Sequence, residues 1–489
     1  MTIKNKLSPF FLLTIIALAS PSIAQNFTIS PAAGYVFPTM LYPGSLTSAY
    51  YTVTNNTSSP RYGYTLQGLP GTVKQNTNGS NCSNPINLQP KAQCLLQLDI
   101  TNAVHSNFAL CSGSSCTSAA LPLNIVLSTV PPTMVLAGDS TDTPTPLVAQ
   151  SADGGLTWSY PVLPLDITSG SFNGVSCQGA ICVAAGSNEL TSPGSPLIAQ
   201  SSDDGLNWTY PVLPTNVTAG FFNSINCQGT VCVAVGENDT TTPSPLVAQS
   251  VDGGLVWTYP ELPGNVVSGH LNSVSCSGNF CVAAGSNDYD ASPLIAQSTN
   301  NGLTWTYPAL PNSVSSGYFN DVTCKGTFCV AVGVNDAASM ALIAQSYDGG
   351  LTWAYPSLPA VDQSSLRRVS CSGTYCVASG TYGLFFGFPL IAQSANGGRN
   401  WSYPTLPVPE VPQGTLRSVS CSGLLCIAAG ENDLLGGAPL IIRSDDGGFT
   451  WSYPVLPDSI TSGYFNTANC SGQTCIAAGT VGPVNGEPF

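Results

Sequence analysis

Pro245-Leu246-Val247-Ala248-Gln249-Ser250 runs into Asp252-Gly253-Gly254 and then Trp257-Thr258-Tyr259-Pro260. After a loop come Asn272-Ser273-Val274-Ser275-Cys276, the turn segment Ser277-Gly278-Asn279-Phe280, and Cys281-Val282-Ala283-Ala284-Gly285. These short apolar or alternating runs, punctuated by Gly, Asn and Asp, read as four strands with no helical period. The unit is roughly 48 residues long and occurs seven times, which is the signature of a propeller blade or a solenoid coil. Four strands per unit favours the blade. The expected fold is therefore all-β, with a seven-bladed β-propeller over residues 131–489. The repeat opens with its two outer strands and ends with its two inner ones. The final hairpin, at about 466–479, is therefore expected to complete the blade begun at about 146–163 and so remove a sheet edge. Met134-Val135-Leu136-Ala137-Gly138 is a further copy of the Cys-Val-Ala-Ala-Gly strand without its cysteine, and either competes for that closing position or adds an extra strand.

The first hairpin of each copy carries one tryptophan: Trp158, Trp208, Trp257, Trp305, Trp353, Trp401 and Trp451. Ahead of it stands an acid or amide: Asp153, Asp203, Asp252, Asn300, Asp348, Asn396 and Asp446. A side-chain oxygen at that position can accept turn N–H groups, Gly supplies positive φ, and Trp buries a large face. Asn in two copies keeps the acceptor and loses the charge, which favours a hydrogen-bonding role over metal binding or catalysis. The pattern Ser151-Ala152-Asp153-Gly154-Gly155-Leu156-Thr157-Trp158 resembles the Asp-box (BNR repeat) of sialidase-like propellers.

The second hairpin is Cys-x-Gly-x-x-Cys, as in Cys324-Lys325-Gly326-Thr327-Phe328-Cys329. A two-residue loop with Gly first suits a type II′ turn. The two cysteines then face each other on a closely spaced, non-hydrogen-bonded rung that suits a cross-strand disulfide. Zinc needs a second cysteine pair nearby, and each unit offers one. The expected bridges are Cys177-Cys182, Cys227-Cys232, Cys276-Cys281, Cys324-Cys329, Cys371-Cys376, Cys421-Cys426 and Cys470-Cys475.

Residues 25–130 have a different texture. Ala49-Tyr50-Tyr51-Thr52-Val53-Thr54 and Cys94-Leu95-Leu96-Gln97-Leu98-Asp99-Ile100 read as strands, with turns at Pro43-Gly44 and Asn55-Asn56, in a span that suits a β-sandwich. Asn81-Cys82, Leu88-Gln89-Pro90 and Cys94-Leu95-Leu96-Gln97-Leu98 together resemble the immunoglobulin-like modules of exported bacterial proteins. That resemblance implies a Cys82-Cys94 bridge between neighbouring strands, and Cys111-Cys116 is the remaining pair. Residues 1–24 read as a signal peptide, with Lys4 and Lys6 ahead of the apolar run Pro9 to Ala19 and a small-residue site at Ser22-Ile23-Ala24. The run is too short to span a bilayer. Eighteen cysteines point to an oxidising compartment. The expected protein is exported and soluble: secreted, periplasmic or at the cell surface.

Loss of residues 1–24 leaves nine Lys and Arg against 25 Asp and Glu, a net charge of −16. With basic residues so few and so scattered, nucleic acid and anionic membrane are poor partners. Positions that break the repeat are the best functional candidates, because symmetry accounts for the rest. Four residues before each first cysteine stand Asn173, Asn223, Asn272, Asn320, Arg367, Arg417 and Asn466. If this is the innermost strand, Arg367 and Arg417 lie near the central channel, where paired arginines can hold a carboxylate such as that of an acidic sugar. A solvated rim is the alternative. Arg443 in place of Gln, and His270, are weaker candidates. Glu189, Asp239, Asp288, Asp336 and Asp433 recur in one loop and suit turn chemistry better than paired-carboxylate hydrolysis or calcium binding. His105 and His270 lie in different domains, so no Ser/His/Asp triad is suggested.

The resemblance to sialidases implies an Arg-Ile-Pro motif and arginines drawn from around the ring. The motif is absent, and Arg367, Arg368, Arg399, Arg417 and Arg443 all fall in the last three repeats. The regular repeats also resemble photosystem II assembly-factor-type propellers, which implies a binding scaffold. The expected function is a non-catalytic binding or scaffold protein that recognises a protein or glycan at a propeller face, with no cofactor and no metal. The alternative is a sialidase-like glycoside hydrolase acting on extracellular glycans.

Overall fold

A computed structural model describes residues 26–481, apart from 33–34, 36, 42–45, 78–80, 129–132, 140–144, 191–192, 240–241, 385–386, 408–412, 433–436, 455, 457–461 and 472–473. The signal peptide expected at 1–24, the Pro43-Gly44 turn and Asp433 lie outside the described residues. Every regular element among the described residues is a β-strand, and no helix there is long and apolar enough to cross a membrane.

Strands from Phe27–Pro31 to Leu123–Leu127 form two four-stranded sheets and one three-stranded sheet around a single core. In Thr47–Asn55 the alternation read from the sequence is the burial pattern: Ala49, Tyr51, Val53 and Asn55 point inward. Phe27, Tyr51 and Leu98 from one four-stranded sheet meet Tyr64, Ile86 and Leu110 from the other. The phenol of Tyr51, deep in this core, donates to the Leu121 carbonyl at 2.9 Å. Cys82 is bridged to Cys94 and Cys111 to Cys116.

From Met134 onward the strands form eight sheets in a propeller-like arrangement, six of three strands and two of two. Gly269–Ser277, Phe280–Asn287 and Ser292–Ser298 make one. The first strand of each sheet packs on the first strand of the next, so these strands lie innermost. Middle strands such as Phe280–Asn287 are buried along nearly their whole length because neighbouring sheets cover both faces, which explains an unbroken Cys-Val-Ala-Ala run where alternation is otherwise the rule. Trp353 packs with Val282 and Ala284 of the preceding sheet, and the other tryptophans of the three-stranded sheets do the same in their own clusters.

Two expectations need correction. The fourth strand of each unit is reduced to one bridge, in which Gln249 and Thr258 exchange both backbone hydrogen bonds at 2.9 Å. The next such rung would set Val247 against Pro260, which has no N–H to donate. Ring closure also differs. Gly463–Ser471 and Thr474–Val481 pair only with each other and do not complete the sheet begun at Pro146–Ser151. Met134–Asp139 pairs there instead, with Val135 opposite Gln150 just as Val183 lies opposite Gln200. The two end sheets still abut: a Cβ on Gly155 would lie 2.8 Å from Ile476 Cγ2, the same contact Gly205 makes with Val135. A partner a few residues upstream closes a short loop, and the C-terminus would close one of more than 300 residues at greater entropic cost. The closing sheet thereby lacks an inner strand.

In the first hairpin of each unit, Ser151 Oγ donates to Asp153 Oδ1 at 2.8 Å and accepts from the Gly155 N–H at 2.8 Å. Asp153 accepts in turn from the Thr157 N–H at 2.9 Å, and the indole of Trp158 donates to the Gly155 carbonyl at 3.1 Å. Asn300 keeps the arrangement, accepting from the Thr304 N–H at 2.9 Å. The Thr157 hydroxyl and backbone hold the Asp153 carboxyl down at about 2, and Asn207 does the same for Asp203. Since the ordinary carboxylate value is about 3.9, these groups contribute stability that is complete above about pH 4 and is lost as pH falls toward 2. The thermal midpoint is expected to drop across that window. An Asp153→Asn/Asp203→Asn variant is expected to drop less steeply, and an unchanged slope in melts between pH 5 and 2 would count against the hydrogen-bonded carboxylates as the cause.

All eighteen cysteines are paired. In the repeats each bridge joins directly opposed residues, such as Cys324 and Cys329 with Cα atoms 4.1 Å apart. Gly326 has φ +61° and Thr327 is not among the positive-φ residues, as a type II′ turn requires.

Candidate functional site

The innermost strands frame a channel, and at one end it widens into a cavity of about 570 Å³. Each of these strands carries a bulge, seen as a register shift between Phe319 and Asp321 opposite Gly333 and Val332. The extra residue is Asn320, and its equivalents are the candidates Asn173, Asn223, Asn272, Arg367, Arg417 and Asn466. A bulge re-aims one side chain out of the pleat, and all seven reach the lining of this cavity. Their grouping was legible in the sequence from the repeat alone.

What most of the asparagines do there was not legible. Asn173 donates to the Phe222 carbonyl at 2.9 Å, Asn223 to Leu271 at 3.0 Å, Asn272 to Phe319 at 2.9 Å and Asn320 to Leu366 at 2.8 Å. Each amide thus clasps the inner strand of the next sheet with one of its two N–H groups. Asn466 precedes the sheet that has no inner strand, and Ala137, Gly138 and Asp139 line the cavity in its place.

Arginine replaces the clasp in two adjacent strands. Arg417 donates to Glu431 Oε1 at 2.6 Å, and its guanidinium lies 4.8 Å from the Tyr464 ring centroid. Arg367 makes no ion pair among the described residues, and burial together with the charge of Arg417 lowers its pKa. Neighbouring Arg368 reaches Asp321 at 3.9 Å. Asp321 is partly buried and accepts from Ser273 Oγ at 2.6 Å and the Val369 N–H at 2.8 Å, and desolvation raises its pKa against those contacts. The opening is therefore positive on one side, where Arg367 stands in no ion pair among the described residues and feels Glu431 only at longer range. Arg367 and Arg417 are the two members of the set whose charged donors are available to a ligand carboxylate.

The remaining candidates lie elsewhere. Arg443 pairs with Asp445 at 2.7 Å on the surface, and His270 Nδ1 lies 3.1 Å from Asp288. The N–H groups of Glu189, Asp239, Asp288 and Asp336 close their loops onto Ser169, Ala219, Ser268 and Ser316. No group of three His, Cys, Asp or Glu side chains among the described residues is arranged to hold a metal. Asp139, Glu431 and Tyr464 escaped the sequence reading. Asp139 precedes the recognisable repeats, and the other two acquire a role only through contact with Arg417.

No protein-family model matches the chain, and no curated protein matches it. Among solved structures it is similar to one titled "YCF48 bound to D1 peptide", with 14% sequence identity, a TM-score of 0.41, and coverage of 79% of this chain and 94% of that one.

Proposed function

We propose that this chain is an exported, non-catalytic binding protein: an Asp-box propeller of seven repeats joined to an N-terminal immunoglobulin-like β-sandwich. Its open channel mouth takes an acidic group of a glycan or protein ligand. The observation that carries this reading is the Arg367–Arg417 pair, set side by side in a cavity of ligand size, with Arg367 in no ion pair among the described residues. Paired disulfides favour an oxidising compartment. Hydrolysis of a glycoside calls for two free carboxyl groups flanking the bond. Among the described residues Asp139 is the one carboxyl group on this lining, and nearby Glu431 is tied to Arg417, which supports binding over turnover.

The test is a glycan array probed with purified residues 25–489 and with the Arg367→Ala/Arg417→Ala variant. Acidic glycans are expected to be retained by the unmodified protein and to bind about tenfold to a hundredfold more weakly to the variant, the loss of a charged hydrogen-bond pair. Equal binding by both would sink the arginine site. A blank array would leave an acidic protein segment as the ligand.

A further inference from the structure

The opposite end of the channel is covered. Tyr35 of the N-terminal domain lies against Gly278, Tyr50 and Gln97 against Gly326, and Leu46 and Asp99 against Gly373. The β-sandwich thus sits on three successive cysteine hairpins. Between it and the ring lies a second cavity of about 560 Å³. Its floor is built from the residue after the first cysteine of each hairpin, a Gln or Ser in six copies and Lys325 in the other.

Lys325 is the one charged residue on this lining. Its side chain is surrounded by protein yet accessible to water, because it projects into the cavity. Burial lowers its pKa, with no acid acting against the shift, and it has no ion pair or hydrogen bond among the described residues. Asp99, the acid at this interface, is turned to Ser48 at 2.7 Å, Gln97 at 2.9 Å and Asn76 at 2.9 Å. Tyr35 Oη and Gln228 Oε1 are also buried here without partners. The Lys325 ammonium, exposed to water in the cavity, has no counter-charge on the lining, and each orphaned polar atom is costly. The cavity therefore presents one positive charge and walls of hydroxyls and amides from Ser48, Gln97, Ser277 and Ser372.

We propose that this interdomain cavity binds a small monoanionic, hydroxyl-rich molecule of the sugar-acid class, its carboxylate held by the Lys325 ammonium. A single positive charge matches a single negative one, whereas a doubly charged phosphate would remain half compensated. The volume exceeds that of a bare ion and suits a polar body that exchanges hydrogen bonds with the serine and glutamine lining. The site is separate from the channel mouth and does not depend on the arginines.

The experiment is calorimetric titration of D-glucuronate into the Arg367→Ala/Arg417→Ala protein, so that the mouth contributes nothing, with D-glucose as the neutral control. Glucuronate is expected to bind, and glucose to bind about tenfold more weakly or worse. Adding Lys325→Met is expected to weaken glucuronate about tenfold to a hundredfold. Without ligand, Lys325→Met is expected to melt at the same temperature or higher, since it removes a charge that has no partner. Absence of glucuronate binding, equal binding of glucose, or unchanged affinity in Lys325→Met overturns the proposal. A lowered melting temperature for ligand-free Lys325→Met overturns it as well, because the lysine would then serve a structural partner. Should that variant fail to fold, Lys325→Gln takes its place, and unchanged affinity there overturns the proposal.

Discussion

Excess dithiothreitol is expected to unfold this protein at room temperature. Eight of its nine disulfides close loops with a sequence separation of 5, and the ninth one of 12. In the chain-entropy model each short loop contributes roughly 2 kcal/mol and the longer one about 3 kcal/mol, so the set is on the order of 15–20 kcal/mol. That exceeds the 5–15 kcal/mol or so by which whole domains are usually stable. The bridges also replace packing that a strand pair at a propeller edge lacks: the hairpin Gly463–Ser471/Thr474–Val481 forms a sheet of two strands where most of the others have three. Near-ultraviolet circular dichroism reads the seven tryptophans and should lose its fine structure as thiols appear. A reduced protein that kept its native spectrum and midpoint would show that packing alone suffices.

Gly333→Ala is expected to be among the most damaging single methyl additions in the ring, on the order of 3–5 kcal/mol. A Cβ on Gly333 would sit 1.9 Å from the Tyr318 carbonyl oxygen and 2.7 Å from Phe319 Cα. Both obstacles are backbone, so no rotamer change relieves them. The same approach, at 1.9–2.0 Å, recurs at Gly186, Gly236, Gly285, Gly380, Gly430 and Gly479. Its cause is the bulge: Gly333 lies opposite Phe319, immediately before the extra residue Asn320, where the inner strand is pinched toward the middle one. Relief of the clash would straighten the bulge and withdraw Asn320 from Leu366. Urea unfolding of Gly333→Ala against Gly71→Ala, where nothing lies within 4 Å of the added atom, measures the effect. A cost below about 1 kcal/mol would mean that the bulge yields easily.

The Gly333 contact marks where one-dimensional reading stops. Seven copies of one unit, the Trp and Cys positions, and the turn residues between them were enough to reach an all-β chain with cross-strand disulfides. Each depends on neighbours a few residues apart, for which periodicity and turn chemistry are direct signals. The Asp→Asn exchanges at Asn300 and Asn396 likewise disclosed a hydrogen-bonding role before any hydrogen bond was seen, because only the charge is lost. The bulge had no such signal. It appears in the sequence as an ordinary Asn within a strand, and the amide's partner is a carbonyl nearly fifty residues away.

Closure was decided in the same way by three-dimensional competition. Two segments, Met134–Asp139 and Thr474–Val481, carry the same middle-strand pattern, and pattern alone ranks them equally. The shorter loop wins the Pro146–Ser151 edge, and the loser forms a sheet of its own. The candidate site divides along that line too. Arg367 and Arg417 stood out as departures from a repeat, a property of the sequence. That four of their asparagine counterparts are clasps, that Arg417 is shared with Glu431 and Tyr464, and that Lys325 faces a cavity are properties of the fold. Local period and turn chemistry are written into adjacent residues. Which carbonyl, acid or domain a side chain meets depends on how the sheets assemble, since those partners lie whole repeats apart.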